Sequence, residues 1–395
     1  MIKILLNTGS GDGVDFHRLI LPHSKLKQLD TEGKFGVTFG IPKEVTDKVS
    51  FISQYDIFVF NRFFPVEELV QLKGKVKLVC DMDDYWYLNS THPALSTYKI
   101  LDLSHKIQEC IKLADVVTCT TTILEDKIKP FNSNTYILRN AWNPLKGEVK
   151  LDRRLRFGLI GGISHLQDVE LLDGVVNALP KDVLDGVKFV LCGFDKGKKR
   201  FYLPDGSVRE EHMPWEENGW NRFEKILTNN YKTLTEKHLN FLKEYRFGFE
   251  MDSPEPYKRV WTKDIYHYMN SYNEIDVLLV PLLDNEFNAC KSELKFVEAA
   301  AMGKPVICSD VNPYKICGIN VFEKGGKINP DGNCIMVDNR KGAKAWVKAI
   351  TKLYNDKGLR DMLVENEQKL INETGIYNLD NVTRERMKLY ETLSD

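Results

Sequence analysis

Residues Asp276 to Asp310 read DVLLVPLLDNEFNACKSELKFVEAAAMGKPVICSD. Apolar runs at the start of this stretch and after Lys304 predict two buried strands, and the alanine-rich segment between them predicts a helix. Gly303 suits the left-handed end of that helix, and Pro305 follows where a helix does not continue. With Asn288 as the expected N-cap, the stretch predicts a strand, loop, helix and strand, the repeating unit of a parallel α/β sheet.

Three charged side chains follow one another along this predicted helix. Lys291, Lys295 and Glu298 lie at offsets of zero, four and seven, so a continuous helix would present all three on one face. Two cations at a helix start, above the carboxyl end of a parallel strand, suit a diphosphate, and the glutamate suits ribose hydroxyls. The alternative is an ordinary solvated helix face with salt bridges.

The same alternation of apolar runs and helical segments occurs twice along the 395 residues. IKILLN from Ile2 opens the first series and FGLIGG from Phe157 opens the second. A chain of this length exceeds what one hydrophobic core usually organises, which favours two α/β domains. We expect a first domain at 1–150, a second at 151–375 with a polar insertion at 196–230, and a C-terminal helix at 376–395 that packs back on the first domain.

Composition excludes several functional classes. Lys and Arg number 55 against 56 Asp and Glu, a net charge of -1 that provides no general attraction for nucleic acid or anionic lipid. No apolar run approaches the roughly 20 residues of a membrane span, and the start shows no export signal. Eight scattered cysteines without a Cys-x-x-Cys pair predict reduced, packed thiols and a cytoplasmic protein without a zinc site, although peripheral membrane contact stays open.

The first strand of each predicted sheet is followed by a turn that contains glycine. These turns are NTGSGDG from Asn7 and GGISH from Gly161. Their spacing matches neither the dinucleotide fingerprint nor the Walker loop. Backbone N–H groups at a helix start nevertheless bind anions, so both turns are candidates for donor phosphate, and an ordinary structural turn is the alternative. The candidate donor-binding residues here are Gly11, Gly13, Gly161, Gly162, Ser164 and His165.

An aspartate tract, VCDMDDYWYLNSTHP from Val79, ends another predicted strand and contains Asp81, Asp83 and Asp84. Carboxylates of this kind hold Mg²⁺ together with phosphate oxygens, but no further ligand set accompanies them. We therefore predict no metal, and expect hydrogen bonds to sugar hydroxyls or loop capping, with Asp83 or Asp84 as a candidate catalytic base. His17 and His92 are further polar candidates.

The motifs described above resemble those of the group 1 (family 4-like) glycosyltransferases. The donor-site segment of that family has a strand ending in Pro, then Glu-Ala and Gly-x-Pro-Val, here Pro281, Glu298-Ala299 and Gly303 to Val306. Similar segments are ADVVTCTTTIL from Ala114, ILRNAWNP from Ile137 and DGNCIMVDN from Asp331. The resemblance implies the GT-B fold, an α/β architecture with two Rossmann-like domains whose parallel sheets face a central cleft.

Two departures from the family pattern affect the expected donor site. The family's first glutamate, eight positions before Glu298, is replaced by Cys290, and the family's Arg and Lys after the second glycine turn are missing. We infer that Lys291 and Lys295 supply the positive charge. The Lys-Ser-x-x-Lys-x-x-Glu form resembles a divergent branch of bacterial and phage transferases and adds Ser292 to the donor-binding candidates.

The expected function is transfer of a sugar from a nucleoside diphosphate sugar, with UDP or GDP as nucleotide. The acceptor is a glycan, a lipid, a nucleic-acid base or a small molecule. Lys295 is the first candidate catalytic residue, ahead of Asp83 and Asp84, and neither a cofactor nor a metal is expected because helix termini and lysines stabilise the leaving diphosphate. The resemblance implies retention at the anomeric carbon. A sugar-nucleotide epimerase or phosphorylase and a non-catalytic sugar-nucleotide binding subunit stay open as alternatives.

Overall fold

The computed structural model of the chain describes residues 1–9, 13–90, 92–142, 152–202, 208–245, 255–323 and 325–394. Contacts divide the chain into two compact units. The first unit comprises Met1–Asn143, Asp284–Val297 and Leu370–Asp395, and the second comprises Pro144–Leu283 and Glu298–Lys369. The domain limits expected from the sequence stay a prediction.

Each unit contains a six-stranded sheet, and the second also contains a two-stranded hairpin. In the first sheet the strands are β1 Ile2–Asn7, β2 Phe35–Phe39, β3 Ile57–Asn61, β4 Lys77–Met82, β5 Val116–Cys119 and β6 Thr135–Ile137. The later strands are β7 Leu155–Ile160, β8 Val187–Phe194, β9 Lys198–Tyr202, β10 Val208–His212, β11 Tyr257–Trp261, β12 Val277–Val280, β13 Val306–Ser309 and β14 Ile335–Val337.

Sixteen α-helices accompany these strands in the described part of the chain. They are α1 Leu21–Leu29, α2 Lys48–Ile52, α3 Val66–Leu72, α4 Leu95–Ile100, α5 Leu103–Leu113, α6 Thr122–Ile128, α7 Leu166–Val169, α8 Val175–Ala178, α9 Lys181–Gly186, α10 Trp220–Leu227, α11 Glu236–Lys243, α12 Glu286–Ala289, α13 Leu294–Ala301, α14 Ala343–Asn355, α15 Lys357–Thr374 and α16 Leu379–Ser394. None of the described helices is long and apolar enough to cross a membrane.

Both six-stranded sheets are parallel, which confirms the predicted α/β class. The orders are β2-β1-β3-β4-β5-β6 and β11-β8-β7-β12-β13-β14. Strand order reverses between β1 and β3 in the first sheet and between β7 and β12 in the second. Ligands of open parallel sheets bind at such reversals, beyond the carboxyl ends of the strands, so these two edges are where a site is expected.

Buried apolar side chains explain why the runs in the sequence form central strands. Ile57 to Phe60 of β3 and Val306 to Cys308 of β13 are fully buried, as parallel strands covered on both faces require. All eight cysteines are buried and none forms a disulfide. They pack as small apolar side chains, as predicted.

The last helix, α16, belongs to the first unit and packs on α1. The hydroxyl of Tyr390 lies 2.7 Å from Nε2 of His23. Nδ1–H of the same histidine donates to the carbonyl of Leu19 at 2.6 Å. Thr383 donates to the carbonyl of Pro22 at 3.5 Å. These buried bonds hold the C-terminal residues beside the start of the chain.

One prediction for the decisive stretch is wrong. Asn288 does not begin a long helix: Asn285 caps the four-residue α12, accepting from the N–H of Asn288 at 2.8 Å, and α13 begins only at Leu294. Lys291 and Ser292 therefore lie between two helices and do not share a helix face with Lys295. The predicted stop is confirmed, because Gly303, two residues after the last residue of the helix, has a φ of 63°.

Candidate functional site

Helix α13 places two of the predicted residues on one face. Lys295 lies in its first turn and Glu298 three residues further, a spacing at which side chains are neighbours. The Lys295 side chain is partly exposed, whereas that of Glu298 is buried. The helix follows β12 and leads through Gly303 into β13, so it belongs to the crossover next to the strand reversal.

Two tyrosines fix the carboxylate of Glu298. Tyr272 donates to Oε2 at 2.8 Å, and Tyr268 donates to Oε1. Burial, reinforced by the charge of Glu298, raises the pKa of both hydroxyls well above the ordinary value for tyrosine. Both tyrosines therefore remain protonated donors that hold the glutamate in one orientation.

The segment that precedes α13 is held by three consecutive side chains, all bonded within the first unit. Lys291 Nζ lies 3.3 Å from Oδ1 of Asp84, and Ser292 Oγ accepts from Nδ2 of Asn140 at 2.9 Å. Oε1 of Glu293 accepts from Arg139 Nη1 and from the Tyr377 hydroxyl, each at 2.7 Å. These tertiary bonds explain why the helix predicted from residue 288 is interrupted here.

Arg62 binds the two partly buried aspartates of the aspartate tract, Asp83 and Asp84. Its Nε and Nη2 donate to the two oxygens of Asp83 at 2.6 and 2.7 Å, and Nη2 also donates to Oδ2 of Asp84 at 3.2 Å. Burial opposes ionisation of Asp83, but Arg62 outweighs it and holds the pKa of Asp83 below its ordinary value. A carboxylate bound in this way suits a structural role better than that of a base, which leaves Asp84 as the better placed candidate.

Asp81 is part of a buried ion pair and not of an open acidic cluster. Arg18 donates from Nε and Nη2 to its two oxygens, each at 2.8 Å, and both side chains are at most 1% exposed. Nη1 of Arg18 also donates to Oδ1 of Asn140 at 3.0 Å, and Asn140 in turn holds Ser292. The register of β4 with β3 and β5 places Asp81 beside Asn61 and Thr118. This network connects the centre of the first sheet to the segment before α13.

The glycine turn after β7 is organised by Asp168. His165 donates from Nδ1 to Oδ2 of Asp168 at 2.9 Å, and the other carboxylate oxygen accepts from the backbone N–H of Leu283 at 2.9 Å. The loops after β7 and β12 are thereby joined at the strand reversal of the second sheet. Gly193, whose φ is 107°, lies very close to this turn. A Cβ at Gly193 would be 2.2 Å from the carbonyl oxygen of Gly161.

The same turn departs from the expected helix start. Gly162, Ser164 and His165 form or flank a 3₁₀ turn at Ile163–His165, followed by the four-residue helix α7. A helix this short has a small dipole, so anion binding here would depend on backbone N–H groups and side chains.

The glycine turn after β1 is described only in part, because predicted residue Gly11 lies outside the described residues. Gly9 donates its N–H to Oδ2 of Asp15 at 3.0 Å. No atom of the described residues would lie within 4 Å of a Cβ at Gly9 or Gly13, so the packing of these residues does not require glycine at either position. Their donor-binding role stays a prediction.

The two candidate histidines differ in surroundings. Burial, with a smaller effect of Arg18, lowers the pKa of His17 to about 4. Burial and then Lys291 lower the pKa of His92, whose ring packs edge-on against Phe287 with centroids 5.4 Å apart. Both are therefore neutral near pH 7 and do not add cationic charge.

The three carboxylates of the aspartate tract are each bound by an arginine. Asp81, Asp83 and Asp84 accept from Arg18 and Arg62 as described above. Across the described ranges, no three His, Cys, Asp or Glu side chains are grouped so that they could hold a metal ion.

Several residues of this arrangement were not predicted from the sequence. Arg62, Asn140, Tyr268 and Tyr272 lie far along the chain from the side chains they bind. One local signal exists, since YHYMNSYNEID from Tyr266 is rich in tyrosine and lies directly before β12.

Known proteins match part of this chain in sequence and nearly all of it in fold. Residues 258–356 match the family described as glycosyl transferases group 1. No curated protein matches the chain in sequence.

Three solved structures share the fold over nearly the whole chain. Sucrose-phosphate synthase from Thermosynechococcus elongatus has a TM-score of 0.62 at 14% identity, covering 100% of this chain and 99% of that chain. HepE from Anabaena, in complex with UDP and glucose, has a TM-score of 0.58 at 12% identity, with 99% and 100% covered. An alpha-glucosyltransferase in complex with UDP and a 13-mer DNA containing a HMU base has a TM-score of 0.58 at 13% identity, with 99% of each chain covered. At such identities the likeness shows the fold.

Proposed function

We propose that this chain is a glycosyltransferase that transfers a sugar from a nucleoside diphosphate sugar to a hydroxyl-bearing acceptor. Its fold is shared with GT-B glycosyltransferases, and residues 258–356 match the group 1 family, which supports the proposal. UDP is the first nucleotide to test, since HepE and the alpha-glucosyltransferase were both solved with UDP. A glycan hydroxyl is the first acceptor to test, bound by the first unit. The proposal includes retention at the anomeric carbon, which the family resemblance implies.

The face of α13 that carries Lys295 and Glu298 is the observation that supports the proposal most. As the bond from the anomeric carbon to the diphosphate oxygen breaks, negative charge develops on the leaving diphosphate. Lys295 is assigned to that charge, with Lys291 and Ser292 as further diphosphate contacts, because preorganised cations and donors stabilise such charge most in the transition state. Glu298, oriented by Tyr268 and Tyr272, is assigned to the ribose hydroxyls.

A binding and turnover experiment separates this proposal from its alternatives. Thermal unfolding is measured with UDP, GDP, ADP and their glucose derivatives, since a ligand of the native state raises the unfolding temperature. The nucleotide that binds is then supplied as labelled donor, with and without an acceptor panel. Transfer that depends on acceptor supports the proposal. A sugar altered without acceptor indicates an epimerase, and binding without transfer or hydrolysis indicates a binding subunit.

We expect activity to survive EDTA. The three aspartates that would hold a cation accept from Arg18 and Arg62 instead, and the leaving charge is assigned to lysines. Initial rates are measured after gel filtration into millimolar EDTA, with untreated enzyme as control. Complete loss of activity that Mg²⁺ or Mn²⁺ restores would contradict the assignment and make Asp84 the first ligand to examine.

Replacing Glu298 with Gln is expected to weaken binding of UDP and of the UDP-sugar alike. Hydrogen bonds from ribose to a charged acceptor contribute about 1–3 kcal/mol, so the binding free energies of both ligands should weaken by about that amount. Isothermal titration calorimetry measures both ligands, and pyrophosphate, which lacks ribose, should bind as in the wild type.

Tyr268→Phe provides the matched control for this variant. It removes one hydroxyl that orients the carboxylate but keeps the carboxylate itself, so it should weaken UDP binding less than Glu298→Gln does. Unchanged UDP affinity in Glu298→Gln would show that Glu298 does not contact ribose. An equal loss for pyrophosphate would mean that the variant disturbs the site as a whole.

A further inference from the structure

The basic and acidic side chains around Asp84 form a balanced cluster inside the first unit. Arg62 and Lys291 provide two cations, and Asp83 and Asp84 provide two carboxylates. Asp83 takes both of its short bonds from Arg62, at 2.6 and 2.7 Å. Asp84 is shared over longer distances, 3.2 Å to Arg62 and 3.3 Å to Lys291. Asp84 is therefore the loosely bound member of the cluster.

Arg62 is built into this position at a conformational cost. It follows β3 with a φ of 56°, a region that residues other than glycine enter only against a free-energy penalty. Its backbone N–H donates to the carbonyl of Asp81 at 2.9 Å, which ties the strained residue to the end of β4. The strain places the guanidinium between the two carboxylates that follow β4.

Lys291 has a second contact that does not depend on charge pairing. Its Nζ lies 4.4 Å from the centroid of the Phe287 ring, on the short helix before it. A cation over an aromatic face is held in place without neutralising its charge. Loss of Asp84 would therefore leave the lysine positioned while removing an opposing charge.

From this geometry we propose that Asp84 competes with the donor diphosphate for Lys291, and that Arg62 is the positioning residue that weakens this competition by sharing Asp84. The inference rests on the proposed function, in which Lys291 contacts the diphosphate. With Arg62 present, Asp83 is satisfied and Asp84 is divided between two cations. Without Arg62, among the described residues, Asp83 would keep only the more distant charge of Arg18 beside Lys291, and Asp84 would keep only Lys291, so both carboxylates would hold Lys291 more strongly against the donor.

The inference predicts opposite signs for two substitutions in one cluster. Asp84→Asn should tighten UDP binding by roughly two- to fivefold, the range that a partly exposed ion pair supports. Arg62→Met should weaken it by a similar factor or more. If the cluster served only to hold the fold, both variants would weaken binding. Uridine, which carries no phosphate, should bind the wild type and both variants equally.

The experiment measures UDP and uridine affinity by isothermal titration calorimetry on the full chain. Arg62→Lys keeps the charge and should recover part of the affinity lost in Arg62→Met. In a Lys291→Met background, Asp84→Asn and Arg62→Met should no longer change UDP affinity, since the competitor has lost its target. Glu286→Gln, which removes another carboxylate paired with a lysine, Lys127, is the matched control and should leave UDP affinity unchanged.

Each outcome supports or overturns a defined statement. Tighter UDP binding in Asp84→Asn that disappears with Lys291→Met supports the inference. Weaker binding in Asp84→Asn, or changes that persist without Lys291, overturn it while the proposed function stands. Asp84→Asn and Arg62→Lys decide the matter even where Arg62→Met lowers the unfolding temperature. A wild-type chain that binds no nucleoside diphosphate overturns the proposed function itself.

Discussion

Replacing Lys295 with methionine is expected to lower turnover by about a hundred- to thousand-fold, corresponding to roughly 2.7–4 kcal/mol of lost transition-state stabilisation. Methionine keeps an unbranched apolar stem and high helix propensity, so α13 should persist. The variant, however, lacks the cation that is assigned to the charge developing on the leaving diphosphate. Because that charge is largest in the transition state, kcat should fall much more than the affinity for UDP.

Steady-state kinetics with the identified donor and acceptor measure this effect, and calorimetry with UDP measures ground-state binding. Lys348→Met, which removes an exposed lysine on α14, is the matched control and should retain wild-type kinetics. Lys291→Met removes a further diphosphate contact and should lower UDP affinity as well. Should Lys295→Met keep near-native turnover, the α13 face is an ordinary solvated surface, and the leaving group is stabilised elsewhere.

The central strands of the two sheets can be predicted because buried parallel strands consist of short, continuous runs of apolar residues. IKILLN corresponds to β1 at Ile2–Asn7, and the run after Lys304 corresponds to β13 at Val306–Ser309. Both consist of residues that pack on two faces of a parallel sheet. The strand β11, Tyr257–Trp261, was not predicted, since it lies at the edge of its sheet and is only partly buried. An edge strand carries a weaker apolar pattern.

Within the candidate site, local signals were sufficient for the end of α13 but not for its start. A glycine followed by proline ends a helix through backbone geometry, and Gly303 does so. The start depends on Asp84, Asn140 and Arg139, which bind the three residues before Leu294 and are more than 150 positions away in the chain. Helix propensity cannot reveal such bonds, because they form only after the first sheet is assembled.

The partners of the aspartate tract also could not be predicted, because they too lie far away in the chain. Three carboxylates within four residues predict hydrogen bonds to sugar hydroxyls, loop capping or a catalytic base, whereas the structure binds one to Arg18 and another to Arg62. Arg62 is separated from Asp83 by 21 positions and Arg18 from Asp81 by 63. Strand order in the sheet, which the sequence does not specify directly, brings these pairs together at one edge.

Breaking the Arg18–Asp81 pair is expected to destabilise the first unit by about 3–5 kcal/mol, because removal of one partner leaves an uncompensated buried charge. Arg18→Met would leave the carboxylate of Asp81 with Thr118 and Asn61, and Asp81→Asn would leave the guanidinium without its opposite charge. Hydrogen exchange of the backbone amides in β3, β4 and β5 measures the opening free energy of this sheet. Amides of β7 and β8, in the second unit, should keep their protection and serve as the internal control.

A double variant separates the charge requirement from packing at this position. Arg18→Met combined with Asp81→Leu removes both charges, and since such replacements are often neutral or stabilising, it should recover much of the stability that either single variant loses. Lys388→Met, which removes the exposed partner of Glu385, should cause no measurable change. If the single variants lose less than about 1 kcal/mol, the value of a surface pair, the sheet does not depend on this bond. A stable double variant that has lost turnover would instead assign the pair a functional role, because Arg18 reaches Ser292 through Asn140 and thereby the segment that leads into α13.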